Sequence, residues 1–225
     1  MSIDFTICTM KDLTDAIEEY GFLPYFCNSL SGFSIEEHVA PQAWFSDDQE
    51  GVWEWKGPVI RETGCAYGKF FEKKAAFVSR EWFIDLANYR RDGYDYEGFY
   101  NDGYAEYRDK YLFDLIEANG PLLSKELKVL GGYRKGGRKG FDTSINRLQA
   151  QCFVVISDFT YQMDKNGKEY GWGVAEYATP EQFMGEEFIV EIYDRDPKES
   201  YERVLEHICR LVPSAKTEDV RRFLK

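Results

Sequence analysis

The chain has 225 residues, 44% hydrophobic and 17% aromatic, with 40 acidic against 28 basic side chains and a formal charge of −12. That apolar content supplies a core and argues against disorder. The length fits one large domain or two small ones, and the acidic balance argues against indiscriminate coating of nucleic acid.

Five dispersed cysteines (Cys8, Cys27, Cys65, Cys152, Cys209) with no Cys-x-x-Cys pair, and only two histidines (His38 and His207), speak against a disulfide framework or a zinc site. No cofactor or metal is expected. The opening "MSIDFTICTMKDL" lacks the basic stretch and apolar core of a signal peptide, and no run approaches the roughly 20 apolar residues of a membrane span. The expectation is a cytoplasmic protein with no membrane contact.

The first predicted helix is "TMKDLTDAIEEYG", where Thr9 with Asp12 forms a capping box, Leu13, Ala16 and Ile17 form the stripe, and Gly21 stops it. Ser34 with Glu37 caps a short helix further on. Then "PQAWFSDDQEGVWEWKGP" gathers Trp44, Trp53 and Trp55 around an acidic loop. Such a cluster is either core packing or a pocket for a base. Glu54, between two tryptophans, is a carboxylate whose pKa burial could raise for acid–base work, although a tryptophan-flanked surface glutamate is far commoner.

"CAYGKFFEKKAAFVS" predicts two short strands around Glu72–Lys74, and Ser79 caps the helix "REWFIDLANYRR". The tyrosine-rich, glycine-punctuated run after it looks like a boundary near Asp102. Beyond it the pattern predicts a helix from about Tyr104 to Asn119, and a second, "KELKVL", capped by Ser124 and ended by Gly131-Gly132. A third carries Phe141, Ile145, Leu148 and Cys152 on one stripe. The period then changes to that of strands: "CFVVISDFTYQ", an Asn166-Gly167 turn, and "YGWGVAEYA". Three helices followed by a hairpin are the order of a winged helix. Asp196 and Pro197 open a last long helix with Val204, Leu205, Ile208 and Leu211 inward, and a short helix starts at Thr217. No internal repeat is legible.

Charge is unevenly placed. Between Pro121 and Val155 seven basic residues face two acidic ones, and Arg134, Lys135, Arg138 and Lys139 crowd into a glycine-rich loop. Screening at about 8 Å in physiological salt lets such a local patch act independently of the global charge. If Phe141, Ile145 and Leu148 point inward, Thr143, Ser144, Arg147 and Gln151 turn outward. The cations then suit phosphates, and Ser144 and Gln151 suit base edges. The alternative is a solvated, mobile connector that offsets an acidic surface. No Ser/His/Asp set, P-loop or His-Glu-x-x-His motif is present.

The stretch "DLIEANGPLLSKELKVLGG…FDTSINRLQAQCFVVISDF…YGWGVAEYATPEQF", with the upstream "VWEWKGPVIRETGCAYGKFFEKKAAFVSREWF", resembles the AlkZ-like winged-helix proteins, the crosslink-repair DNA glycosylase family, and especially its short AlkZ-related branch. The resemblance spans about Tyr20 to Gly185. It implies tandem winged helices around a basic concave surface and hydrolysis of the glycosidic bond of N7-alkylated purines, with water positioned by a Gln-x-Gln or Gln-x-Asp pair. Here the corresponding segment is "GFLPYF", which places Pro24 and Phe26 at those positions, and neither side chain orients a water. Gln149-Ala150-Gln151 lies elsewhere, and no catalytic role is transferred to it.

The expected fold is α+β: residues 1–102 a tryptophan-rich α+β part or degenerate winged helix, 103–185 a winged helix-turn-helix module, and 186–225 a helical closing segment. The expected function is duplex DNA binding, at damaged or distorted sites among others, without the catalytic pair. The alternatives are an active glycosylase with its base pocket at the tryptophans, and a protein-interaction module.

Overall fold

The computed structural model describes residues 5–45, 49–163, 165 and 169–225. The Asn166-Gly167 turn lies outside the described residues.

Helix α1 (Met10–Tyr20) starts at the predicted capping box, with Thr9 accepting from the Asp12 amide and the Asp12 carboxylate accepting from the Thr9 amide. It stops at Gly21, whose φ of 72° lies in the left-handed region and whose missing Cβ makes room for the Trp82 indole. Strand β1 (Phe22–Pro24), short helices α2 (Ile35–His38) and α3 (Pro41–Trp44), helix α4 (Val52–Thr63) and the hairpin β2 (Ala66–Phe71) and β3 (Lys74–Val78) follow. The sheet order is β1-β3-β2, all antiparallel. The hairpin turn is where the sequence placed it, with Glu72 and Lys73 both at positive φ. Helix α5 (Arg80–Arg91) is capped by Ser79 and leads to α6 (Tyr96–Asn101).

The second half repeats that order. Helix α7 (Tyr107–Asn119) precedes strand β4 (Leu122–Leu123), helices α8 (Ser124–Leu130) and α9 (Phe141–Ala150), and the hairpin β5 (Val155–Met163) and β6 (Glu169–Ala178). Its sheet runs β4-β6-β5, with Leu122 opposite Tyr177 and Val155 opposite Ala178. Each half thus runs helix, short strand, helices, hairpin, with three helices (α2 to α4) before the hairpin in the first half and two (α8 and α9) in the second, and with the first strand beside the third each time. Backbone topology carries this repeat; the residue pattern does not.

The halves pack reciprocally. Helix α4 lies on β5, α9 lies on β2, and β2 and β5 touch each other. Gln149 of α9 accepts from the Lys69 amide of β2 (3.1 Å), while Arg61 of α4 pairs with Asp158 of β5. Gly57 brings α4 so close to β5 that an added Cβ would stand 2.9 Å from Asp158 Oδ1. One continuous core results, from Leu13 and Phe22 through Phe70 and Phe77 to Leu148 and Val155.

After β6 come α10 (Pro180–Met184), α11 (Glu186–Ile189), a 3-10 turn (Val190–Ile192), α12 (Pro197–Leu211) and α13 (Thr217–Phe223). Helix α12 buries Val204, Leu205, Ile208 and Leu211 and packs on α5, each side chain contributing about 1.5–3 kcal/mol relative to exposure. The closing segment is thus joined to the first half. Among the described residues no helix is long and apolar enough to cross a membrane.

Candidate nucleic-acid interface

The loop between α8 and α9 is fixed by its own backbone. The Gly137 amide donates to Arg134 O, the Arg138 amide to Gly132 O, and the Tyr133 amide to Lys128 O, each at 2.8 Å. Gly136 has φ of 83°, and a Cβ on Gly137 would collide with Gly132 O. Tyr133 packs edge-on against Phe141, and the Arg138 guanidinium sits 4.2 Å from the Tyr111 ring centroid of α7. These contacts lower the entropy cost of ordering the loop on a ligand. In the structure the loop is a turn held against α7 and α9.

Arg134, Lys135, Arg138 and Lys139 are all exposed, and among the described residues none of them forms an ion pair. Lys128 differs, lying 3.5 Å from Asp142. Asp142 is 85% exposed in the first turn of α9, where its charge opposes a phosphate at the helix start and Lys128 offsets part of it.

Three predicted contact residues are placed otherwise. Ser144, expected to turn outward, is fully buried between α9 and α7. Arg147 is turned inward to α7, bonded to Glu106 and 2.9 Å from the wholly buried Asp109. Gln151 is half-buried at the C-terminal cap of α9, the end remote from the cationic loop. The stripe rule failed because α9 buries two faces, one on α7 and one on β2, so only a narrow edge stays open. Thr143, expected outward, is exposed there, and Asn146, which the sequence reading missed, is half-exposed one turn on.

The tryptophan cluster is mainly packing. Trp55 is buried in the core, which removes it from any open pocket. Trp44 and Trp53 are half-buried, 5.1 Å apart, and Trp53 lies 5.1 Å from Tyr25, whose hydroxyl donates to Val52 O. Phe45 covers Trp53 from outside and is 67% exposed. Glu54 completes a capping box by accepting from the Gly51 amide at 2.9 Å, a structural task. Beside these rings, unnoticed in the sequence, Lys56 is only 7% exposed, and burial lowers its pKa below the usual lysine range.

Pro24 sits within β1 opposite Ala76, and Phe26 stacks into the aromatic cluster. Neither offers a polar group. Gln149 is occupied by the Lys69 amide and Ile145 O, so Gln149 and Gln151 make no water-positioning pair. A cleft of about 570 Å³ lies elsewhere, walled by Arg91, Tyr96, Glu117, Glu181 and Tyr193, and its acids disfavour a polyanion.

A family profile described as AlkZ related matches residues 7–225. The chain belongs to the AlkZ-related family. Membership suggests a relation to DNA-repair glycosylases and agrees with the resemblance read over about Tyr20 to Gly185, which it extends back to residue 7 and on to residue 225. No curated protein and no solved structure is significantly similar to this AlkZ-related chain.

Proposed function

We propose that α7 to β6 is a winged helix that binds duplex DNA through the α8–α9 loop, and that this AlkZ-related protein recognises DNA without the glycosylase's catalytic pair. The observation that carries the reading is the loop itself: four exposed cations without carboxylate partners, on a backbone-fixed turn at the start of α9, in a chain of charge −12. Unpaired cations gain more from phosphate than paired ones, because no existing ion pair has to break. The strand order β4-β6-β5 and the helix order support the winged-helix reading. Covering of α9 by α7 and β2 restricts base reading to its N-terminal edge, at Thr143 and Asn146. Sequence discrimination is then weak and phosphate contact dominates.

Fluorescence anisotropy with a labelled duplex across a salt series tests this. Four phosphate contacts give a slope of log affinity against log salt of about −4. Changing Arg134, Lys135, Arg138 and Lys139 all to Glu should abolish binding at moderate salt, and equal affinity in the two proteins would overturn the proposal. A duplex carrying N7-methylguanine should release no base, since Pro24 and Phe26 stand where the polar pair would be needed.

A further inference from the structure

Lys56 projects from α4 into the seam between the halves. Its ammonium nitrogen lies 4.5 Å from the Phe159 ring centroid of β5 and 5.3 Å from that of Trp53. Among the described residues it makes no hydrogen bond or ion pair, so only the two ring faces and the more distant charge of Glu54 offset the burial of its ammonium. The charged and titratable groups packed around it are otherwise engaged. Glu54 on the same helix accepts from the Gly51 amide, Asp158 of β5 pairs with Arg61, and the hydroxyls of Tyr25 and Tyr161 donate to Val52 O and Trp53 O. Tyr67 of β2 packs edge-on against Phe159. An ordinary surface lysine keeps its ammonium in water and buries only its stem; this one buries nearly the whole side chain, next to the exposed platform of Phe45 over Trp53.

We infer that Lys56 is a nucleophilic amine that condenses with an aldehyde entering beside the Phe45–Trp53 platform. The aldehyde has two chemical sources, the opened deoxyribose of an abasic site in DNA or a free small aldehyde, and the first rests on the DNA-binding reading given above. The neutral amine adds to the carbonyl carbon, forming a C–N bond as the π pair moves to oxygen. A proton passes from nitrogen to oxygen to give a carbinolamine, and loss of water leaves an imine. Desolvation favours each step that begins from neutral nitrogen. An unperturbed lysine at pH 7 is neutral in only about 1 molecule in 2,500, and each unit of lowered pKa raises that fraction about tenfold.

The test is reductive trapping of the intact protein at pH 7 with cyanoborohydride, in two arms: glycolaldehyde, and a duplex holding one abasic site. Peptide mass spectrometry then compares Lys56 with the exposed Lys135 and Lys139. In the glycolaldehyde arm Lys56 should be labelled faster than either loop lysine. Lys56→Arg, which keeps a cation over the rings but no nucleophile, should lose the adduct while keeping its thermal midpoint. An adduct at Lys56 in the duplex arm assigns the abasic sugar as the source, and an adduct with glycolaldehyde alone assigns a free aldehyde. Failure to label Lys56 in both arms, or labelling no faster than Lys135, overturns the inference. Anisotropy with an intact duplex separately judges the DNA-binding reading, so the two failures are distinguishable.

Discussion

Asp85 concentrates much of what holds the C-terminal helix to the first half. One oxygen accepts from Ser200 Oγ (2.8 Å) and from Arg203, and the other lies 2.9 Å from Arg195. Burial alone would raise its pKa, but the bonds from Arg203, Ser200 and Arg195 outweigh that and hold the carboxyl below the usual aspartate range. A carboxylate depressed in the folded state gives stability that is present above its unfolded value near 3.9 and is lost as pH falls through the folded value. Asp85→Asn should therefore cost about 2–3 kcal/mol in urea unfolding at pH 7, because an amide leaves two arginines without their shared counter-charge. At pH 3 the gap between variant and wild type should narrow. A gap of equal size at both pH values would mean that Asp85 acts through shape rather than charge.

At the scale of elements, the joint between α7 and α9 decides how far the third helix can serve as a reading head. Asp109 is wholly buried, and burial raises its pKa despite the Arg147 guanidinium beside it. Arg147→Ala leaves that carboxyl buried without its cation, at a cost of about 3 kcal/mol at pH 7. The sign is opposite to that of Asp85. A carboxyl raised in the folded state adds no penalty below its unfolded value and a growing one as pH rises through the folded value, so the variant's deficit should be smaller at pH 4 than at pH 7. Anisotropy on the same variant should retain the wild-type salt slope, since Arg147 is an internal tie rather than a phosphate ligand. A slope reduced by about one would return it to the interface.

The same joint explains which elements the sequence made legible. Helices whose termini carry local signals matched expectation: α1 at Thr9, α5 at Ser79, α12 at Asp196 with Pro197, and the hairpin turn at Glu72–Lys73. Helix α4 was read only as a tryptophan cluster, because Gly57 and Pro58 interrupt its pattern and burial on two sides erases a single stripe. Helix α9 failed more instructively. Its inward stripe was right, but a period of 3.6 identifies one buried face and says nothing of a second, and Ser144 and Gln149 sit on polar buried positions that hydrophobicity cannot reveal. The cationic loop was legible because charge and glycine content are local properties. Lys56 was not, since its burial depends on β5, about a hundred residues away in sequence.

For the whole molecule, the reciprocal seam predicts that the two halves unfold as one cooperative unit. Helix α4 rests on β5 and α9 on β2, each the first hairpin strand of the other half, and α12 fastens the chain's end back onto α5. Four of the five tryptophans (Trp44, Trp53, Trp55 and Trp82) lie in the first half, so tryptophan fluorescence reports mainly there, while far-UV circular dichroism reports on both halves. The two probes should give coincident urea midpoints, as two-state unfolding requires. Gln149→Leu sharpens the test from the other side of the seam. It preserves bulk in α9 but removes the acceptor for the Lys69 amide, leaving a part-buried donor unsatisfied at a cost of about 1 kcal/mol. Because the substitution is in the second half and the fluorophores are mostly in the first, a shift of both midpoints by the same amount demonstrates coupling across the seam. A shift in circular dichroism alone would mean two independent domains joined by a linker.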